Sequence, residues 1–112
     1  MAPFAVFILV PVGSSFAATT RVGGGIGLPG GKVDPGEGPV EAALREAHEE
    51  GWEVSGLNPE PAHRAVVDGR MVWWYRAESA VLLDTFKEKG RISPVLATLA
   101  EIRTCGFGND WV

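Results

Sequence analysis

Between residues 45 and 50 the chain reads Arg-Glu-Ala-His-Glu-Glu. On a helix turning 100° per residue, Glu46, Glu49 and Glu50 share one flank at i, i+3 and i, i+4 spacing, so their oxygens can converge on a space several Å across. A cluster of hard oxygen donors suits Mg2+, with Mn2+ as the alternative, whereas zinc fits poorly without a nearby cysteine. Arg45 has Glu41 and Glu49 four residues to either side, and its fork of donors can orient a carboxylate. Residues 34–53 hold seven acids and one base, a local charge of −6, while the remainder sums to +2 and the whole chain to −4. Like charges crowded on one helix repel, so a bound cation is one reading and a solvated acidic face the other.

The elements that must position these residues follow from pattern. A helix is expected over residues 39–50, with Pro39 in the first turn, Gly51 just past the end, and Val40, Ala43, Leu44 and Ala47 as its buried face. Ahead of it, residues 4–10 and 15–21 read as two strands of a hairpin with a turn at 11–14. A cleaved leader is the competing reading of this apolar start, but it lacks a basic n-region. A short strand near residues 27–28 lies within a loop holding eight of the fifteen glycines, between Gly23 and Gly38. Residues 62–67 and 70–77 form a hairpin around Asp68-Gly69. Residues 94–103 read as a second helix with Val95, Leu96, Leu99 and Ile102 inward, and residues 82–89 fit neither state. This order predicts an α/β fold, a mixed sheet with helices on its faces, and 112 residues suffice for a single domain spanning 1–112.

Two familiar motifs fail on context. Residues 25–30 match G-x-G-x-x-G, yet Lys32-Val33-Asp34-Pro35-Gly36 cannot open the helix a dinucleotide site requires. Gly31-Lys32 lacks both the leading glycine and the following hydroxyl of a phosphate-binding loop. A longer pattern does fit: Gly31, five residues, Glu37, seven residues, then Arg45-Glu46-Ala47-His48-Glu49-Glu50. This resembles the signature of the Nudix hydrolases, G-x5-E-x7-R-E-U-x-E-E-x-G-U with U aliphatic, and the flanking Leu28-Pro29-Gly30 and Pro35-Gly36 are similar to its usual surroundings. One departure stands out, because Gly51 follows Glu50 directly. We read a one-residue deletion there, with Trp52 as an alternative occupant of the Gly position.

The resemblance implies a Nudix-like α/β/α sandwich and a hydrolase for nucleoside diphosphates linked to another group. It implies Glu46, Glu49 and Glu50 as Mg2+ ligands, a backbone carbonyl at Gly30 or Gly31 as a further one, and Arg45 and Glu37 as orienting residues. The general base is then Glu49 or Glu46, with Glu88 on a later segment as an outside candidate. For the substrate, Arg21 is placed to meet phosphate. Trp73, Trp74 and Trp111 could stack on a base, although Trp73 and Trp74 must point to opposite faces of a strand. Asn109 could read a base edge or be a plain turn residue, and His63 reads as structural. A (deoxy)nucleoside triphosphate cleaved to monophosphate and pyrophosphate is the expected reaction. The competing functions are a non-catalytic nucleotide-binding or sensor domain and an enzyme for ADP-ribose or dinucleoside polyphosphates. Net acidity argues against a nucleic acid polymer as partner, and no apolar run reaches membrane-spanning length. Cys105, the one cysteine, fits a cytoplasmic location and reads as packing. Oligomeric state is not legible.

Overall fold

Alternation along β1 (Ala5–Leu9) sends Val6 and Ile8 to one face of a sheet and Ala5 and Leu9 to the other, all of them buried. The computed structural model describes residues 2–106 and 108–112. β1 lies at the centre of a four-stranded sheet ordered β5-β1-β8-β7. It pairs antiparallel with β5 (Gly30–Lys32) and parallel with β8 (Arg70–Arg76), which is flanked by β7 (His63–Val67). The β7–β8 turn is Asp68-Gly69, both at positive φ (50° and 79°), as expected for a two-residue hairpin loop. A second sheet is ordered β10-β3-β2, built from β10 (Pro94–Ala97), β3 (Ser15–Thr20) and β2 (Pro11–Val12), with β4 (Ile26–Gly27) also paired to β3. β6 (Trp52–Ser55) and β9 (Ser79–Leu82) form a separate ribbon.

Each face of the central sheet carries a core. On one, Val6, Ile8, Val10 and Tyr75 pack with Ala42, Ala43 and Ala47 of α1 (Pro39–Glu49) and with Trp52, whose indole Nε1 donates to Ala18 O at 2.9 Å. On the other, Leu9, Val72 and Trp74 pack with Leu28, Ala97 and Ile102 of α2 (Leu99–Thr104). The mixed sheet with a helix on either face is the α/β/α arrangement expected. No helix among the described residues is long and apolar enough to cross a membrane.

Three expectations need correction. The segments 4–10 and 15–21 are strands, but they do not pair as one hairpin. The chain turns aside after β1, and the hairpin is β2–β3, with Pro11 opposite Phe16 and Val12 opposite Ser15. The second helix begins at residue 99, not 94: residues 94–97 form β10 against β3, and Thr98 caps α2 by accepting from Glu101 N at 3.1 Å. Only Ile102 of the four residues assigned inward is fully buried, and Leu96 lies on the open face of its strand. Finally, Leu44 is 39% exposed while Ala42 is buried. The inward arc of α1 is therefore rotated toward its acidic flank.

Candidate active site

That rotation is what builds the site. With Val40 at 0°, the most buried positions of α1 run from Ala42 near 200° to Ala47 near 340°, so Glu46 and Glu50, at about 240° and 280°, face the sheet instead of solvent. Carboxylates fit there because β5 opposite them carries glycines. A Cβ on Gly31 would lie 2.6 Å from Glu46 Cδ and Oε2, so the Glu46 carboxylate occupies the volume a side chain would take. Gly30, at φ 150°, has no room either, since its Cβ would fall on Val6 O and 2.7 Å from Phe7 Cα. Gly30 N donates to Glu50 Oε1 at 3.0 Å.

Arg45 ties the flank together. Its Nε and Nη2 grip Glu37 at 2.6 and 2.9 Å as a bidentate pair, and Nη1 donates to Glu46 Oε1 at 3.1 Å and reaches Glu49 at 3.4 Å. Nη2 also donates to Lys32 O at 3.1 Å, fastening the helix to β5. Glu37 in turn accepts from Asp34 N at 3.0 Å. The Arg45 hydrogen bonds and that backbone donor hold the Glu37 carboxyl down at about 2, so Glu37 stays ionised and Arg45 charged. Burial pushes the other side up. Glu50 is raised to about 8, chiefly by burial, opposed by the Gly30 hydrogen bond and helped by the charges of Glu46, Glu88 and Glu49. Burial also raises Glu46, against the pull of Arg45.

The helix ends as the short box requires. Glu50 is the cap, and Gly51 turns the chain out at φ 102° beneath Phe86 and Pro94. Trp52 is then buried, so Gly51 holds the glycine position and the deletion reading describes the exit. The segment after β9 closes over this end: Leu83 N donates to Gly51 O and Glu88 N to Glu49 O, both at 2.9 Å. It brings Lys87 Nζ to 3.7 Å from Glu49 Oε2. Sequence reasoning had no account of this docking. Phe86, which packs on the bare Gly51, was the available sign.

Hard carboxylate oxygens, a glycine cradle and the buried acid Glu50, raised by its burial, form a donor set that fits a divalent metal ion. Among the described residues no three such groups already converge on one point. Their oxygens are held by Arg45, Lys87 and Gly30 N, so an ion binding here exchanges with these contacts.

The remaining candidates are spread. Arg21, following β3, lies over Gly27 and lines a cleft of about 450 Å3 with Phe7, Gly31, Val67 and Val72. Trp73 is on the other side of the sheet, with Arg64 over its ring at 4.5 Å, and does not line that cleft. Trp74 is core. Asn109, 5% exposed, accepts from Trp74 Nε1 at 2.9 Å and donates to Cys105 Sγ at 3.3 Å, so its amide is engaged inside the molecule. His63 stacks on Trp111 at 4.9 Å. Lys32, Asp68 and Arg70 line the cleft and were missed, because their proximity depends on β5 and the β7–β8 turn flanking β1.

Fold and site together define an α/β/α domain with an arginine-ordered carboxylate helix facing a glycine strand. The family model for the NUDIX domain matches residues 4–94, and the chain belongs to that family. A search of curated proteins found no match. Among solved structures the chain is similar to an ADP compounds hydrolase (24% identity, TM-score 0.66), covering 86% of this chain and 57% of that one. It is also similar to the pyrophosphohydrolase BsRppH of Bacillus subtilis (26%, TM-score 0.66; 85% and 62%). A third similar structure is from work on MutT of Aliivibrio salmonicida and Vibrio cholerae (19%, TM-score 0.69; 98% and 90%). The chain thus spans little more than half of the first of these. Nudix hydrolases act with divalent metal ions, and the solved structures this chain resembles include several described as Nudix hydrolases.

Proposed function

We propose that this Nudix hydrolase cleaves a phosphoanhydride bond of a small nucleotide with Mg2+, a (deoxy)nucleoside triphosphate yielding monophosphate and pyrophosphate being the leading substrate. The observation that carries the reading is Glu46 and Glu50 facing Gly31 and Gly30, with Glu49 beside them on the Arg45 fork and Arg45 gripping Glu37. Glu46, Glu49 and Glu50 would hold the metal, with a carbonyl of Gly30 or Gly31. Bound there, the metal offsets the substrate's charge and lowers the pKa of the attacking water. Arg45 keeps Glu46 and Glu49 aimed at the same space, and Glu37 fixes Arg45. Glu49 or Glu46 takes the proton of the water. Glu88, whose backbone binds Glu49 O, is the outside candidate for that role. The diphosphate sits at Gly31, and the nucleoside enters the cleft lined by Phe7, Val67 and Val72, where Arg21 meets phosphate.

The test is a Mg2+-supplemented screen of nucleoside triphosphates, oxidised nucleotides, ADP-ribose and dinucleoside polyphosphates with product identification. Monophosphate and pyrophosphate in equal amounts support the leading reading. Metal-dependent binding of a nucleotide without any product would select a sensor domain instead.

A further inference from the structure

Two cations touch the Glu49 carboxylate, and they are held very differently. The Arg45 side chain is 27% exposed and is pinned by Glu37 at 2.6 Å, Lys32 O at 3.1 Å and Asp34 at 3.4 Å, none of which belongs to the Glu46, Glu49 and Glu50 flank. The Lys87 side chain is 71% exposed, and its one ion pair among the described residues is with Glu49 Oε2 at 3.7 Å, outside hydrogen-bond reach. Arg45 is the fixed cation and Lys87 the labile one.

The labile contact is nevertheless built into the chain path. Residues 83–93 lead from β9 to β10 as a strap across the end of α1, and both ends of the strap are tied. Leu83 N donates to Gly51 O and Ser93 N to Thr20 Oγ1, each at 2.9 Å. Between them Phe86 packs on the bare Gly51, and Glu88 N donates to Glu49 O at 2.9 Å. Lys87 stands between Phe86 and Glu88, so the strap holds Glu49 twice, through its backbone carbonyl and through its carboxylate.

The helix supplies the reason for a second cation. Glu46, Glu49 and Glu50 repel one another across less than two turns, and Arg45 is already shared among Glu37, Glu46 and Glu49. A divalent ion on the flank supplies the same compensation at twice the charge of an ammonium group, and it repels that group. Metal and Lys87 therefore compete for Glu49, and the weakly held, exposed Lys87 is the one that yields.

We propose that Lys87 is a positioning residue acting through Glu49: it caps the carboxylate in the metal-free protein, a metal ion displaces it, and the displacement slackens the strap over the helix end. This rests on the assignment of the flank as a metal site. The contact raises the metal concentration at which the site fills, and it ties the position of residues 83–93 to metal occupancy.

The test needs no substrate. Mn2+ affinity is measured by electron paramagnetic resonance, and backbone amide exchange with and without Mg2+, on the full chain and on Lys87→Met, Lys87→Arg and Lys89→Gln. Lys87 is exposed, so its variants should fold. An exposed ion pair is worth a few-fold in an equilibrium, so Lys87→Met should bind Mn2+ about threefold more tightly or better, with Lys87→Arg restored to the wild-type affinity. Lys89, whose Nζ donates to Asp84 O at 2.6 Å, controls for net charge, and Lys89→Gln should leave the affinity unchanged. The Glu88 amide should exchange about tenfold faster in wild type once Mg2+ is added, and Lys87→Met should show that faster exchange without metal. A Lys87→Met affinity equal to wild type, an equal gain in Lys89→Gln, or Glu88 protection indifferent to Mg2+ overturns the latch and leaves the metal site standing. Failure of every variant and of wild type to bind Mn2+ overturns the metal assignment and the latch with it.

Discussion

Gly31→Ala isolates the contact on which the site geometry depends. The added methyl would sit 2.6 Å from Glu46 Cδ and Oε2, whereas ordinary contact begins at 3.4 Å, so the carboxylate must retreat by about 0.8 Å. Glu46 is a flexible side chain and the backbone of Gly31 is not in the left-handed region, so the strand tolerates the change and the fold persists. Misplacing a catalytic group by about 1 Å costs on the order of a hundredfold in rate. We therefore expect kcat to fall by about that factor, with weaker Mn2+ binding by electron paramagnetic resonance and a melting temperature within a few degrees of wild type. Gly30→Ala is the contrast. Its Cβ would strike the backbone of Val6 and Phe7, which cannot move as a side chain can, so that variant should lose stability outright. A Gly31→Ala enzyme with wild-type turnover and metal binding would refute the placement of Glu46, whatever the fate of Gly30→Ala.

Other outcomes follow from the same geometry. Arg45→Lys keeps the charge but cannot grip Glu37 with two donors while reaching Glu46 and Glu49, so kcat should drop about tenfold or more with little change in KM. The Glu50 carboxyl, raised to about 8, is protonated at neutral pH in the metal-free protein. Because its folded pKa exceeds the unfolded value, the contribution of Glu50 to metal-free stability is full below the unfolded pKa and is lost as pH rises from there through about 8, whereas Glu37, held down at about 2, loses its contribution toward low pH. Glu50→Gln should flatten the loss toward pH 8 in urea melts at several pH values. Metal affinity runs the other way, rising toward pH 8 as the proton leaves. Asn109→Ala leaves Trp74 Nε1 unpaired in the core, at a cost of about 1–3 kcal/mol. A structural Asn109 predicts a melting point several degrees lower with an unchanged KM, and a raised KM at constant stability would mark it as a substrate contact.

How much of this could be read from residue order differs by element. The spacing of Gly31, Glu37, Arg45, Glu46, Glu49 and Glu50 is local information, and so is the Asp68-Gly69 turn. The rotation of α1 was not legible. Val40, Ala43, Leu44 and Ala47 satisfy helical periodicity, but the glycines at 30 and 31 leave space that draws the Glu46–Glu50 flank inward, and only strand pairing reveals that these glycines lie opposite it. Residues 94–103 also fit one helical stripe. The Thr98-x-x-Glu101 capping box was the local mark of a later start, and Pro94 to Ala97 became a strand because β3 offered an edge. The ribbon β6–β9 and the closure of Lys87 and Glu88 over the helix end join distant segments, whose pairing no short-range pattern announces. The cleft cations were hidden for the same reason.

The central claim is that the Glu46, Glu49 and Glu50 flank is a metal-dependent hydrolytic centre. Its most direct test is Glu49→Gln, assayed for product release from the substrate that the screen identifies and, in parallel, for Mn2+ binding. Exchange of one carboxylate oxygen for an amide nitrogen preserves shape and removes charge. We predict turnover lower by at least about a hundredfold, weakened Mn2+ binding and an unchanged circular dichroism spectrum. Turnover close to wild type in a folded Glu49→Gln protein would contradict the account.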